Sequence, residues 1–161
     1  MLSLQAIISQ RRIPAEIIEF ATPLPTVELA AQAAGVGPEV IVKTLILHDG
    51  NGQYFAVVLA GDQRIDFNKV QQFVSAKKLK FAPHADVLSV TGFPAGGTPP
   101  FGFDRPLPIL VDGSVLQQPY VLAGGGKPEL LVKIAPAVLV EAAQAKVGDF
   151  AQRLDRMESS A

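Results

Sequence analysis

The clearest pattern along the chain is a pair of apolar segments that flank a polar turn. Residues 40–47 read VIVKTLIL and residues 53–60 read QYFAVVLA, with HDGNG between them at 48–52. Apolar runs of this length are typical of strands, and the Asp-Gly and Asn-Gly pairs favour a tight turn. The sequence therefore predicts an antiparallel hairpin as its most secure structural unit.

Helical spacing and capping residues divide the rest of the chain into alternating elements. Thr26 and Asp66 suit the N-caps of two helices, Gly35 suits the end of the first, and Pro136 suits the first turn of a later helix. Leu4, Ile7 and Ile8 share one face of a helix that Pro14 ends, and residues 83–90 predict another helix. Further strands are predicted at 16–20, 109–111, 120–122 and 130–134.

This order of elements indicates the fold class. Strands joined partly by hairpins and partly through helices predict a mixed sheet in an α/β or α+β domain, one domain over residues 1–161. No repeat, low-complexity tract or internal linker interrupts the chain. In the tail, Phe150, Leu154 and Met157 recur at near-helical spacing, so a docked helix and a frayed end are both open.

Lys43 interrupts the first strand of the predicted hairpin. Side chains alternate along a strand, so Lys43 shares a face with Ile41, Leu45 and Leu47. The other face is also apolar, which directs the ammonium toward a core or a cleft. A lysine is rarely buried without a partner, and burial disfavours its charged form. From this strand alone, two interpretations are equally good. In one, the aliphatic part of the Lys43 side chain lies along the sheet and its ammonium reaches water; in the other, Lys43 belongs to a functional site.

Residues 91–108, TGFPAGGTPPFGFDRPLP, form a second unusual segment. The interleaved glycines and prolines are incompatible with a helix or an interior strand and predict a long loop. Loops longer than ~12–15 residues in compact domains are usually functional or disordered, and the phenylalanines argue against disorder. Glycines also let backbone N–H groups approach a ligand. Together with Lys43, the loop is better explained by a binding cleft than by a surface connection with a structural role alone.

The amino-acid composition restricts the classes of function that the protein can have. The 161 residues are 48% hydrophobic with a net charge of −1, so a sizeable core is expected and a nucleic-acid-binding surface over the whole molecule is not. The absence of cysteine excludes disulfides, thiolate nucleophiles and thiolate metal sites. No apolar run reaches the ~18 residues of a membrane helix, and the N-terminus lacks the order of a signal peptide. A cytoplasmic protein that contacts neither membrane nor DNA is expected.

Few other residues carry a chemical signal. With no cysteine, His48 and His84 do not make a metal set, so no metal is predicted. The glycine segment at 123–129 lacks the spacing and the hydroxyl of a P-loop. For Asp62, a ligand contact, a pair with Arg64 and a capping role are all open. Short basic clusters at 11–12 and 77–80 are solvated faces or local contacts for a phosphate backbone.

Four segments occur in an order that resembles a known family. They are KTL at 43–45, GD at 61–62, TGFPAGGTPPFG at 91–102, and the glycine turn at 124–126 followed by LLVKIAP at 130–136. This order is similar to that of the YbaK and prolyl-tRNA-synthetase-associated editing domains, over about residues 25–140. The Lys-Thr-Leu strand combined with the Gly-Gly-x-x-Pro loop carries most of the resemblance.

The resemblance implies a mixed, barrel-like sheet surrounded by helices, and an aminoacyl-tRNA hydrolase that works without a cofactor. The sequence contains no synthetase catalytic region. A freestanding protein that acts in trans on the acceptor end of aminoacyl-tRNA is therefore implied, with a synthetase as a candidate partner. By the same resemblance, Lys43 and Gly97 are the expected catalytic residues. The expected substrate contacts are Thr44, Asp62, Phe93, Gly96, Thr98, Pro99, Phe101 and Gly124.

The alternative function is a non-catalytic module that binds an amino acid or a nucleotide in the same cleft. Release of free amino acid from mischarged tRNA distinguishes the two. The amino acid itself stays open, because the loop reads Gly-Gly-Thr-Pro-Pro where better-known members have an aliphatic residue before Ser-Pro. Ala123 or Gly124 also stands where some cysteine-removing members carry a serine.

Overall fold

A computed structural model of the protein describes residues 2–153. Five helices and eight strands alternate along it: α1 (Leu4–Arg11), β1 (Ala15–Glu19), α2 (Val27–Ala34), β2 (Val42–His48), β3 (Tyr54–Ala60), α3 (Phe67–Val74), β4 (Lys80–Phe81), α4 (His84–Thr91), β5 (Ile109–Asp112), β6 (Val121–Gly124), β7 (Leu130–Ile134), α5 (Pro136–Ala143) and β8 (Lys146–Gly148). Short 3₁₀ helices lie at Pro38–Val40, Ala95–Gly97 and Gly113–Gln117.

The capping residues act as the sequence predicts. The side chain of Thr26 accepts the N–H of Leu29 at the start of α2, and that of Asp66 accepts the N–H of Lys69 at the start of α3. Gly35 ends α2 in the left-handed conformation, with φ of 70°. These local contacts fix where the helices begin and end.

The strands form two sheets. The larger has the order β4-β2-β3-β5-β8, in which β2 is antiparallel to β3 and β4, while β3, β5 and β8 run parallel. The predicted hairpin is confirmed, with β2 and β3 paired from Val42–Ala60 to His48–Tyr54. The smaller sheet has the order β1-β7-β6 and is antiparallel throughout. The mixed α/β prediction is therefore confirmed.

The barrel-like closure implied by the resemblance is wrong for this chain. One parallel bridge between Ile41 and Leu122 joins the two sheets, and within residues 2–153 no continuous ladder closes them. A barrel needs hydrogen bonding along every strand edge. Here the pairing between β2 and β6 is limited to the bridge at Ile41, the residue between the 3₁₀ helix Pro38–Val40 and β2.

Three further segments differ from the expectations. The 91–108 loop contains the 3₁₀ helix Ala95–Gly97. This short helix is compatible with the proline-rich sequence because Pro94 lies before it rather than within it. The two shortest strands, β4 and β8, were not predicted. Phe150 follows β8 and is fully buried rather than part of a helix. Leu154 and Met157, the rest of the predicted tail helix, lie outside the described residues.

Apolar side chains cover both faces of the larger sheet. On one face Val58 and Val111 join a core that includes α1, α5 and residues of the smaller sheet. On the other, Val57 and Leu59 pack with Val70 of α3 and with residues near the end of the described chain. Because side chains alternate along β3, this one strand contributes residues to both cores. Among residues 2–153, no helix combines the length and apolar composition needed to span a bilayer.

Candidate active site

A small cavity of about 190 Å³ lies where four segments of the chain meet. Its walls come from the start of α2, from β2, from the 95–98 loop, and from the turn between β6 and β7. Segments distant in sequence are therefore adjacent here. Of the residues predicted for the site, the cavity brings together Lys43, Thr44, Gly96, Gly97, Thr98 and Gly124.

The cavity follows an edge of β2 that lacks a neighbouring strand. One edge of β2 pairs with β3 along its whole length, whereas β4 covers only the last two residues of the other edge. Residues 43–45 thus have an open edge within the described part of the chain. Side chains from both faces of the strand reach this edge, which explains why Lys43 and Thr44 both line the cavity despite being adjacent.

Lys43 is half-buried in the cavity wall. Its Nζ donates a long hydrogen bond of 3.4 Å to the carbonyl oxygen of Gly61. Desolvation lowers the pKa of the Lys43 ammonium below its ordinary value; Asp62 and Glu28 oppose this effect, and Arg64 adds to it. Lys43 therefore presents a partly desolvated charge that one long hydrogen bond satisfies only in part.

The hydroxyl of Thr44 has no hydrogen-bond partner. Its Oγ1 is the one buried side-chain polar atom without a partner among residues 2–153. A buried polar group left unpaired costs roughly 1–3 kcal/mol. Because Thr44 lines the cavity, a ligand there is well placed to supply the missing hydrogen bond.

Two glycines allow the loops around the cavity to pack backbone against backbone. A Cβ on Gly97 would lie 2.6 Å from the carbonyl carbon of Lys127, and a Cβ on Gly124 would collide with the carbonyl group of Thr98. Normal carbon contacts are about 3.5–4.0 Å. These glycines therefore join the 95–98 loop to the β6–β7 turn, a role that differs from making room for a ligand.

The 95–98 loop leaves one backbone donor free beside the cavity. The N–H of Gly97 donates to the carbonyl of Pro94 at 2.9 Å, and the Thr98 hydroxyl donates to the same carbonyl at 2.9 Å. Within residues 2–153, the N–H of Gly96 has no acceptor. Gly96 is exposed and open, since a Cβ there would meet only Pro128, at 3.9 Å.

Four of the predicted substrate contacts do not line the cavity. Phe93 and Phe101 are 2% and 0% exposed and belong to the core, and Pro99 is also buried. Asp62 lies outside the cavity wall but close enough to raise the pKa of Lys43. Its Oδ1 accepts a hydrogen bond from the Gln63 side chain at 3.3 Å, and the pair with Arg64, one of the three interpretations left open by the sequence, is not present among the described contacts.

The structure adds residues that the sequence reasoning missed. Thr26, Val27 and Ala30 of α2 and its cap line the cavity, and Lys127 lies at its rim through the close backbone contact with Gly97. The capping signal located α2 in the sequence, but it contained no information about which strand the helix would face. Lys127 lies in the glycine segment at 123–129 that was compared with a P-loop. A basic residue next to a glycine turn was therefore the signal in the sequence that could have identified it.

The described side chains offer no metal site. Among residues 2–153, no three His, Asp or Glu residues form a group able to hold a metal ion. His48 stacks on Tyr54 at the end of the hairpin, and His84 begins α4. The groups around the cavity are instead a lysine, hydroxyls and backbone N–H groups.

This geometry agrees with a comparison to known families. The family model of the aminoacyl-tRNA editing domain matches residues 21–142, which include every residue that lines the cavity. The chain belongs to the aminoacyl-tRNA editing domain family. The family suggested by the Lys-Thr-Leu strand and the glycine loop is thereby confirmed.

Members of the editing domain family similar to this chain occur alone and within synthetases. YwhH of Bacillus subtilis, an uncharacterized protein, is 32% identical over 82% of this chain and 83% of its own length. EbsC of Enterococcus faecalis, a candidate Cys-tRNA(Pro)/Cys-tRNA(Cys) deacylase, is 24% identical over 90% of this chain and 88% of its own. The proline–tRNA ligase of Bacillus licheniformis is 29% identical over 71% of this chain, which matches only 20% of that enzyme.

A solved structure of similar size supports the same assignment to the editing domain family. The crystal structure of a candidate trans-editing enzyme for prolyl tRNA synthetase superposes with a TM-score of 0.86 at 31% identity. The superposition covers 93% of this chain and 95% of that one. The fold of this editing domain is thus shared over nearly its full described length.

Proposed function

We propose that this protein is a freestanding deacylase that hydrolyses the ester bond of a mischarged tRNA in trans. The observation that carries the proposal is the convergence of Lys43, the unpaired Thr44 hydroxyl and the free backbone N–H of Gly96 on one cavity. Action in trans is supported by similarity over more than four-fifths of YwhH and EbsC, compared with one-fifth of a synthetase.

The proposed reaction needs no side-chain nucleophile. An aminoacyl-tRNA ester is already activated, so the site must hold the ester, admit one water and stabilise the negative oxygen of the tetrahedral intermediate. The free N–H of Gly96 is the candidate donor to that oxygen. One donor of this kind typically contributes ~2.7–4 kcal/mol to the transition state.

Lys43 is proposed to position the substrate as a point charge. Its single long bond to Gly61 leaves ammonium hydrogens available for a terminal phosphate or for the ester carbonyl. The Thr44 hydroxyl would then bind a polar atom of the aminoacyl group or of the terminal ribose. Since the cavity is small and partly walled by the apolar side chains of Val27 and Ala30, we expect a small amino acid.

Deacylation of a panel of mischarged tRNAs tests the proposal. Alanyl-, cysteinyl-, seryl- and threonyl-tRNA are incubated with the purified protein, and the release of free amino acid is compared with uncatalysed hydrolysis. We expect at least one ester to be hydrolysed far faster than correctly charged prolyl-tRNA. Tight binding with no turnover on any member of the panel would instead support the non-catalytic binding module.

A further inference from the structure

A second and larger cavity, of about 660 Å³, lies at the ends of α1 and α5. Its floor is apolar and includes the fully buried Phe101. Three arginines line it: Arg11, Arg12 and Arg105. Neither the cavity nor this group of side chains belongs to the candidate active site.

The fold brings these arginines together across more than ninety residues of sequence. Arg11 ends α1, and Arg12 follows in the left-handed conformation with φ of 53°. Arg105, in the 91–108 loop, also lines this cavity, and its guanidinium lies 5.1 Å from the ring centroid of Tyr54, at the edge where a neighbouring cavity begins. The Arg11–Arg12 pair in the sequence is therefore part of a larger cationic group that only the fold completes.

The wall of this cavity carries more positive than negative charge. Within residues 2–153 none of the three arginines forms an ion pair, and Glu141 is the one acidic residue in the cavity wall. Arg11 also faces the negative end of the α1 dipole, which accounts for one of the three charges. In a chain of net charge −1, the remaining excess makes this cavity a local site for a polyanion.

One loop connects this cavity to the candidate active site. Thr98 lines the small cavity, Phe101 lines the large one, and Arg105 follows on the same segment. Arg105 lies seven residues after Thr98, and seven residues of extended chain span at most about 25 Å. Along a nucleic-acid duplex that length corresponds to about seven base pairs. An RNA whose end enters the small cavity can therefore place nearby phosphates at the arginines.

We propose that the cavity of Arg11, Arg12 and Arg105 binds backbone phosphates of the tRNA substrate, outside the esterified end. Guanidinium groups suit phosphate because they donate paired hydrogen bonds, and the apolar floor suits a ribose or base face. This inference rests on the proposed deacylase function. The same cavity would then contribute to substrate affinity without touching the reacting atoms.

The test compares a triple variant, Arg11→Gln with Arg12→Gln and Arg105→Gln, with a matched control. The control removes three positive charges elsewhere, by Lys77→Gln, Lys78→Gln and Lys80→Gln, all exposed residues. Each protein hydrolyses mischarged tRNA and, separately, an aminoacylated adenosine that carries the ester but no stem. We expect the arginine variant to raise KM for tRNA about tenfold with kcat unchanged, and to act normally on the adenosine ester.

Binding of uncharged tRNA, measured by fluorescence anisotropy against salt, tests the inference independently of catalysis. Removing about three phosphate contacts should reduce the salt slope by about two to three in the arginine variant alone. If the wild type hydrolyses no ester, the deacylase proposal fails while this measurement still decides the role of the cavity.

Several results would overturn the inference. Equal weakening by the lysine control would mean that general charge and not this cavity attracts RNA. Loss of activity on the adenosine ester, or a lowered melting temperature, would show a structural effect. An arginine variant that binds tRNA normally but no longer binds a polyglutamate peptide would assign the cavity to an acidic protein segment.

Discussion

The backbone of Lys127 occupies the space into which a side chain on Gly97 would project, with its carbonyl carbon 2.6 Å from where the Cβ would lie. The Gly97 carbonyl accepts the N–H of Gly126 at 2.8 Å, so the two loops are bonded as well as packed. Gly96, one residue earlier, has open space in the corresponding direction. Of these two neighbouring glycines, only Gly97 therefore has a packing role, and Gly96 leaves the space beside the cavity open.

This contrast predicts opposite results for two alanine substitutions. Gly97→Ala should destabilise the fold by roughly 1–3 kcal/mol, because the backbone of Lys127 must move. Gly96→Ala should leave stability within about 0.5 kcal/mol and lower deacylation, since its methyl group lies beside the free N–H of Gly96. Urea unfolding and single-turnover deacylation of both variants check this. Equal stability of the two would remove the packing role assigned to Gly97.

Replacing Thr44 by valine should separate stability from ligand binding. Thr44→Val removes a buried hydroxyl that has no partner, so stability should be unchanged or rise by up to about 1–2 kcal/mol. If the hydroxyl binds substrate, KM for tRNA should increase or the preference among small amino acids should shift. Denaturant melts and the panel of mischarged tRNAs give both quantities.

Thr98→Val is the matched control for the Thr44 experiment. The Thr98 hydroxyl donates to the Pro94 carbonyl, which also accepts the Gly97 N–H, so its loss should destabilise the protein by about 0.5–1.5 kcal/mol. A Thr44→Val protein as unstable as Thr98→Val would mean that the Thr44 hydroxyl has a partner in solution.

Substitutions at Lys43 should affect both rate and pH dependence. Lys43→Met removes the positioned charge and should lower deacylation by roughly two orders of magnitude. Burial lowers the pKa of this ammonium below its ordinary 10.5, so in the wild type the catalysed rate should fall at a lower pH than an exposed lysine would give. Rates are measured from neutral pH up to the ordinary lysine pKa of 10.5, after subtraction of uncatalysed ester hydrolysis.

Lys43→Arg tests the titration because a guanidinium stays charged over this range. If Lys43 causes the alkaline decline, the arginine variant should retain a flat profile even when its rate is reduced. The sign for stability is opposite to that for activity. The unfolded chain holds this proton more tightly than the folded protein, so wild-type stability should rise with pH between the lowered pKa and 10.5. Lys43→Met should abolish that rise.

Asp112 should be important for stability although it lies outside the site. It is 4% exposed and accepts the N–H groups of Ser114 and Phe150 at 2.9 and 2.7 Å. Asp112→Ala leaves both donors unpaired and should cost about 3 kcal/mol. Asp149→Ala, which breaks the exposed ion pair with Lys69, should cost less than about 1 kcal/mol. Thermal or urea unfolding of the two variants provides the comparison.

Most helices and the central hairpin could be predicted because their signals are local. Thr26, Asp66 and Gly35 cap the helices that the sequence pattern placed there. The strand β8 could not be predicted, since it has three residues and pairs in parallel with β5, far away in sequence. The buried position of Phe150 depends on that pairing.

Part of the candidate site could also be predicted because its signals are local in the sequence. Lys43 was recognisable because a charge in an apolar strand conflicts with its surroundings, and the glycine loop because few other segments accept that composition. The open edge of β2 beside Thr44 was not recognisable, because it depends on how far β4 extends. The contact of Lys127 with Gly97 likewise exists only after the two loops have met.

The pairing of β1 with β7 has a consequence for synthesis on the ribosome. Roughly 110 residues separate the two strands in the chain. At about 5–20 residues per second, β1 waits about 5–20 s before its partner is made. During that delay its backbone edge is open to other chains. The exposed carboxylates of Glu16 and Glu19 suit this interval, since charge on an unpaired strand discourages aggregation.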